Sequence, residues 1–250
     1  EAIKIGSKKL KENKISTHIL DSEILLSKTL NKSREEVLIN LGQTVKKNDV
    51  TKFNNCLLRR SQNEPIAYIL EEKEFWSKLF EVNTDTLIPR PETELLIYKV
   101  VDFFKNERIN VLDIGTGSGC ILLSILKELD LSRGVGIDIS TKAIKTAQIN
   151  SKNLNLFHQS KFKVFDISKF NVGKYDLIVS NPPYIPSKDI KNLSKDIINY
   201  EPLVALNGGL DGLDLIRKVI YKSNSLLKKK GLLAIEIGFN QYLKVSSLLR

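Results

Sequence analysis

Val111-Leu112-Asp113-Ile114-Gly115-Thr116-Gly117-Ser118-Gly119-Cys120 is a short apolar run that breaks into three glycines alternating with small polar residues. The stretch from Ile121 to Leu129 that follows it reads as a helix. A buried strand, a glycine-rich turn and a helix start, in that order, leave free N–H groups at the helix amino terminus, and glycine lets the backbone approach a bound group closely. The same pattern also fits a plain tight connection from strand to helix. Two ligand classes fit poorly. The dinucleotide fingerprint needs a further glycine where Cys120 stands, and no Gly-Lys-Ser/Thr of a phosphate-binding loop follows.

Working downstream, strand-like runs recur near residues 134–138, 161–165, 175–180 and 231–237, with helix-like stretches between them. Together with 110–114 they predict a parallel sheet covered on both faces, an α/β fold. Open parallel sheets place their ligands at the carboxyl ends of the strands. Gly134–Asp138 ends on Asp138, and Ser140 is placed to cap a helix beginning near Thr141. A carboxylate there can accept hydrogen bonds from both hydroxyls of a ribose, or simply begin the turn. The run 161–165 delivers Asp166 and Ile167, a polar group and an apolar face suited to the edge and ring of an adenine. The run 175–180 leads into Asn181-Pro182-Pro183-Tyr184. The asparagine offers one acceptor and one donor group, the prolines stiffen the turn and cannot donate, and the tyrosine adds a flat face. Such a corner suits a planar amide or amino group; taken alone it is also a rigid end to a strand.

Upstream the pattern is helical. Ile19, Glu23 and Leu26, with Leu20 and Ile24, predict one amphipathic helix, and Val50, Phe53 and Leu57 another. Ser33 with Glu36 forms a capping box ahead of Val37-Leu38-Ile39. Residues 1–74 are therefore expected to be a small helical bundle domain, either a docking surface or a stabilising cap. Residues 75–91 read as a hairpin or linker, with Trp76 and Phe80 as anchors between domains. Residues 92–250 read as the catalytic domain, opening on a helix from Glu92 to Phe104 with Leu95, Leu96, Val100 and Phe104 on one side.

Composition narrows the class. A chain of 250 residues with 42% hydrophobic content can hold one full domain and a smaller one. The net charge of +10 is diffuse, without a basic stripe interleaved with aromatics, so no direct nucleic-acid binding is expected. Cys56 and Cys120 are too isolated for a disulfide framework, and His18 and His158 lack ligand-spaced neighbours, so no metal site is expected. A reduced, cytoplasmic protein fits. No apolar stretch of about 20 residues is present, which argues against a membrane span. The chain begins at Glu1 and contains no Met, so trimmed ends are expected.

Asp113 with the glycine turn, Asp138, Asp166 and Asn181-Pro182-Pro183-Tyr184 together resemble the S-adenosylmethionine-dependent methyltransferases. Within them, five further stretches resemble the peptide chain release factor glutamine methyltransferases. These are Arg59-Arg60, Glu64-Pro65-Ile66-Ala67-Tyr68-Ile69, Glu74-Phe75-Trp76, Leu87-Ile88-Pro89-Arg90-Pro91-Glu92-Thr93-Glu94, and Tyr200-Glu201-Pro202 with Gly208-Gly209-Leu210-Asp211-Gly212. The resemblance implies a Rossmann-like class I methyltransferase sheet, with seven strands in the family against five found here, the last two missing. It implies methyl transfer from S-adenosylmethionine, leaving S-adenosylhomocysteine, to the side-chain amide of the glutamine in the Gly-Gly-Gln motif of release factors, a step in translation termination. Cofactor contacts would come from Asp113, Gly115, Thr116, Gly117, Ser118, Gly119, Asp138, Asp166, Ile167 and Asn181. Asn181 and the Pro182 carbonyl would grip the substrate amide, Tyr184 would stack on it, and Pro183 would hold the turn. Arg90 and Glu92 would lie near this pocket, or Arg90 would simply bridge the domains by an ion pair. The enzyme is expected to be a monomer with a protein substrate. A ribosomal-protein glutamine methyltransferase, an amino-group methyltransferase acting on DNA or RNA, and a non-catalytic binding module that kept the fold are the alternatives.

Overall fold

Seven strands form, in chain order β1 (Glu72–Phe75), β2 (Lys78–Glu81), β3 (Asn110–Ile114), β4 (Arg133–Asp138), β5 (Ser160–Val164), β6 (Tyr175–Ser180) and β7 (Leu227–Ile235). They belong to a computed structural model that describes all residues from Glu1 to Arg250. The chain divides into two units, Glu1–Glu71 with Ser194–Tyr200, and Glu72–Leu193 with Glu201–Arg250.

In the larger unit, β3 to β7 make one parallel sheet in the order β5-β4-β3-β6-β7. This is the expected Rossmann-like sheet. The chain starts at its centre, moves outward through β4 and β5, then returns to lay β6 on the other side of β3. Connections therefore diverge between the carboxyl ends of β3 and β6, which opens a crevice there. Side chains along β3 alternate between two cores. Val111 packs on one side with Leu177, Val179 and the helices Glu94–Phe103, Cys120–Glu128 and Thr141–Asn153. Leu112 and Ile114 pack on the other with Ile137, Ile178, Phe170 and the helix Asp214–Leu226. Burial of both faces is why these strands read as nearly unbroken apolar runs. β7 starts four residues earlier than expected. Its first part carries Lys228, Lys229 and Lys230 in solvent, beside a register shift between Tyr175 and Leu177, and lysines on an edge strand do not look like a strand by hydropathy.

β1 and β2 pair antiparallel around Trp76-Ser77, whose φ angles of 51° and 53° suit a two-residue hairpin turn. The Trp76 amide donates to the Glu94 carboxylate at 2.8 Å, and its indole N–H donates to Glu128 at 2.8 Å. Phe75 and Phe80 are buried in the Val111 side of the core. Trp76 and Phe80 thus anchor the hairpin within the larger unit rather than bridging two domains. Because 72–75 pairs with 78–81, the division falls after Glu71, ahead of the expected 74. The helix expected from Glu92 opens as a tight turn over Pro91–Thr93 and turns α-helical at Glu94, with Ile97 and Val100 inward and Leu95 in solvent.

The smaller unit holds the helices Ala2–Glu12, His18–Leu30, Arg34–Ile39, Lys47–Ser61 and Ile66–Leu70, around Leu10, Leu25, Leu26, Phe53 and Leu57. The Ser33/Glu36 capping box forms. The inward face of His18–Leu30 is only partly the expected one: Glu23 and Leu26 are buried, but Ile19 and Leu20 are exposed while Asp21 and Ser22 are buried. Asp21 is carried inward by the Arg60 guanidinium at 2.7 Å and the Thr17 hydroxyl at 2.8 Å, a paired charge that periodicity assigns to solvent. Val50 is exposed as well. Arg59 forks onto Glu64 at 2.8 and 2.6 Å, so Arg59, Arg60 and Glu64 serve the packing of this unit. The helix Lys195–Tyr200 also belongs to it, with the Tyr200 hydroxyl donating to the Gln62 carbonyl at 3.0 Å. No helix is long and apolar enough to cross a membrane.

Candidate active site

Strand register brings the chemistry level. Ile114 pairs with both Ile137 and Ser180, and Asp138 pairs with Val164, so the residues that follow each strand crowd one edge of the sheet. A cavity of about 220 Å³ opens there, lined by Gly115–Ser118, Asp138, Asp166, Ile167, Asn181 and Pro183, among others. Gly115 and Gly117 have φ of +74° and +54°, and a Cβ on either would meet no atom within 4 Å. The turn therefore presents bare backbone to open space. The Gly115 and Thr116 amides donate to the Ile137 carbonyl at 2.9 and 3.0 Å, which fastens the turn to β4.

Asp138 accepts from the Gly117 amide at 3.0 Å and from the Ser140 amide at 2.9 Å. It both begins the turn and lines the cavity, and burial pushes its carboxyl group up from the ordinary aspartate range. Asp166 is exposed and caps the turn Ile167–Lys169 by accepting from the Ser168 amide at 2.8 Å, which holds its carboxyl group low. Ile167 behind it is buried. Asp113 and Gly119 do not reach the cavity wall. Asp113 lies beneath the turn, fully buried, with Oδ2 accepting from the Thr116 hydroxyl at 2.6 Å and Oδ1 without a partner. Burial pushes it up to about 7. A Cβ on Gly119 would press on Ala147, Leu123 and Phe162, so that glycine serves packing. The Ser118 hydroxyl, also buried, has no partner either.

The corner after β6 is braced from two directions. Asn181 donates through Nδ2 to the Thr93 hydroxyl oxygen at 3.1 Å, Thr93 donates to Glu236 Oε2 at 2.6 Å, and the Tyr184 hydroxyl reaches Glu236 Oε1 at 3.4 Å. Gln241 donates to the carbonyls of Tyr184 and Gly212 at 3.0 and 3.1 Å and accepts from the Gly238 amide at 2.9 Å. Gly212 has to be glycine here, because a Cβ would stand 2.3 Å from the Tyr184 oxygen. In the same unit Arg90 forms an ion pair with Glu201. The Glu201 side chain is 1% exposed and also accepts from the Ile88 amide at 3.3 Å.

The structure thus brings Asn181 and Pro183 to the cavity, while Pro182 is buried and Tyr184 packs back against Leu213, Ile216 and Val245. Arg90 lines the cavity and Glu92 is exposed; the ion pair expected of Arg90 forms inside the larger unit. Thr93, Glu236 and Gln241 were not singled out by sequence. Glu236 had a signal: Ser180 pairs with Ile235, so Glu236 follows β7 as Asn181 follows β6. Reading the strand as far as residue 237 hid it.

Residues 1–70 match the model of the PrmC N-terminal domain, and residues 105–237 match that of a methyltransferase domain. Over 225 residues the chain is 44% identical to the release factor glutamine methyltransferase of Buchnera aphidicola subsp. Schizaphis graminum, covering 90% of this chain and 81% of that protein. It is 35% identical over 244 residues to the release factor glutamine methyltransferase of Caulobacter vibrioides, covering 97% and 84%. Among solved structures, the hMettl16 catalytic domain in complex with MAT2A 3'UTR hairpin 6 aligns with a TM-score of 0.56 at 18% identity, over 82% of this chain and 73% of that one. That last likeness is one of fold.

Proposed function

We infer the reaction from a premise that the relatives supply: this chain belongs to the release factor glutamine methyltransferase family. It methylates, from S-adenosylmethionine, the side-chain amide nitrogen of the glutamine in the Gly-Gly-Gln motif of peptide chain release factors, and so acts on translation termination. The observation that carries this reading is the corner after β6, where the NH2 of Asn181 is turned onto Thr93. Its carbonyl is left to accept from a substrate.

The cavity suits the cofactor. Bare backbone at Gly115 and Gly117, and the buried Ser118 hydroxyl, which lines the cavity without a partner, are features of a cradle for a polar ligand. Gly115, Thr116, Gly117 and Ser118 would hold it with Asp138, Asp166 and Ile167, and with Asp113 and Gly119 supporting the turn from behind. Bound there, S-adenosylmethionine supplies a methyl group activated by its positive sulfur, and S-adenosylhomocysteine remains.

A carboxamide nitrogen is a weak nucleophile because its lone pair is shared with the carbonyl, so orientation is the main lever. Asn181 Oδ1 and the Pro182 carbonyl accept the two N–H hydrogens of the glutamine and aim its nitrogen into the cavity. Pro183 lines the cavity and keeps the turn open, while Tyr184, packed against Leu213, Ile216 and Val245, steadies the corner from behind. The methylated nitrogen is strongly acidic until it sheds a proton, which water takes, so no strong base is required. The smaller unit, Glu1–Glu71 with Ser194–Tyr200, would form the docking domain for the protein substrate and the larger unit the catalytic domain, in a cytoplasmic monomer.

Incubation with labelled S-adenosylmethionine and, in parallel, release factor, ribosomal protein and nucleic acid tests the reading. Label is expected on the release factor glutamine; label confined to either of the others overturns it.

A further inference from the structure

β7 ends on a carboxylate whose position is set by the sheet itself. The Glu236 amide donates to the Ser180 carbonyl at 3.0 Å, so Glu236 stands next to the corner that begins at Asn181. Between them lies Thr93, 2% exposed. A threonine hydroxyl has one hydrogen to give, and an ionised carboxylate can only accept. Thr93 gives its hydrogen to Glu236 Oε2 at 2.6 Å. Its oxygen then has only lone pairs to offer, so the side of Asn181 that faces it must be the NH2, as the 3.1 Å contact has it. The carbonyl of Asn181 is thereby forced to point the other way.

We propose that Thr93 and Glu236 are positioning residues which, by fixing the direction of these hydrogen bonds, hold the Asn181 amide in the one orientation able to accept an N–H of the substrate carboxamide. This rests on the methyl-transfer reading above. The groups facing Glu236 are Thr93 and Glu92 from the turn over 91–93, and Asn181 and Tyr184 from the corner. The Thr93, Tyr184 and Asn181 contacts all favour the ionised, acceptor-only form, while burial and the Glu92 charge oppose it. Without an acceptor at position 236 the chain reverses. Thr93 would then donate to the Asn181 carbonyl, and the Asn181 NH2 would face the substrate NH2, donor against donor.

Three variants separate this from a packing role. Glu236→Leu removes the acceptor, Thr93→Val removes the hydroxyl at constant shape, and Thr93→Ser restores it. The first two are expected to lose roughly 10²-fold in kcat, the scale of removing one oriented catalytic hydrogen bond. Cofactor affinity by calorimetry is expected to stay within about twofold, and Thr93→Ser to recover kcat to within about threefold, on the same scale. In cofactor-free protein the Asn181 side-chain NH2 signals, identified by their loss in Asn181→Ala, are expected to exchange with water at least about tenfold faster in Glu236→Leu and Thr93→Val. Unchanged exchange in both variants, or Thr93→Ser as impaired as Thr93→Val, overturns the proposal. Wild-type protein that labels no release factor defeats the substrate reading instead, and leaves the exchange measurement to decide the role of Thr93 and Glu236.

Discussion

Asp113→Asn gives the clearest quantitative test of how the glycine turn is held. Asp113 is fully buried, with one oxygen on Thr116 and the other without a partner, and its carboxyl group is pushed from an ordinary 3.8 up to about 7. Burial is the first cause and the charge of Asp138 a further one. A folded pKa above the unfolded one means that the folded state keeps a proton which the unfolded chain has already released. Stability from this group is then full below about pH 4 and is lost as pH rises to about 7, at about 1.4 kcal/mol per pH unit, or about 4 kcal/mol over the whole window. Asparagine has nearly the same shape and no charge to bury. Urea unfolding of wild type and variant without cofactor, at half-unit steps from pH 4 to pH 8.5, gives the stability difference directly. Slopes from other titrating groups appear in both proteins and cancel. The difference is expected to move in favour of the variant by several kcal/mol across that range and to level off above about pH 8. A difference that stays flat with pH would show that Asp113 is not a buried titrating group and would refute the account of the turn.

Asn181→Ala is expected to abolish methylation while largely sparing cofactor affinity, and turnover within a few-fold of wild type would remove the asparagine from the substrate corner. Asp138→Ala takes away a cavity-lining carboxylate and the acceptor that fastens the Gly117 amide, so calorimetry is expected to show cofactor binding weakened by at least about tenfold. Unchanged affinity would place the ligand elsewhere. Gln241→Leu leaves the Tyr184 and Gly212 carbonyls without their donor in a buried setting, at a cost of about 2–4 kcal/mol read from the urea midpoint. A shift below about 0.5 kcal/mol would mean that water replaces the glutamine and that the brace contributes little.

How much was legible in the sequence followed the range of the interactions involved. The five sheet strands and the turn after β3 are local: apolar runs, glycines and caps lie within a few residues of one another, and all five strands form where sequence reading put them, save both ends of β7. Asp138, Asp166 and Asn181 follow from the rule that chemistry collects past strand ends. What escaped is the set of polar contacts made across long sequence separations. Thr93, Asn181 and Glu236 meet from three segments, and Asp21 turns inward because Arg60, thirty-nine residues away, meets it. Hydropathy cannot report a partner that lies in another element. It singled out Ile19 and Leu20 and passed over Asp21, and it left Thr93 unremarked inside the helix expected from Glu92 to Phe104.

The strand order links these two kinds of information. Because β6 is laid against β3 only after the chain has travelled through β4 and β5, the glycine turn and the Asn181 corner arise far apart in sequence yet flank the same crevice. Register then does what side-chain contacts alone could not. Ile114 opposite Ser180 and Ser180 opposite Ile235 set three strand ends side by side before any of their side chains interact. A slip of one residue would turn Ser180 and its buried neighbours to the opposite face, so the apolar core on both sides of the sheet fixes the register and the register fixes the site. Donor cradle and acceptor corner are thus placed by packing, while the Thr93–Glu236 pair sets only the last degree of freedom, which way round one amide faces.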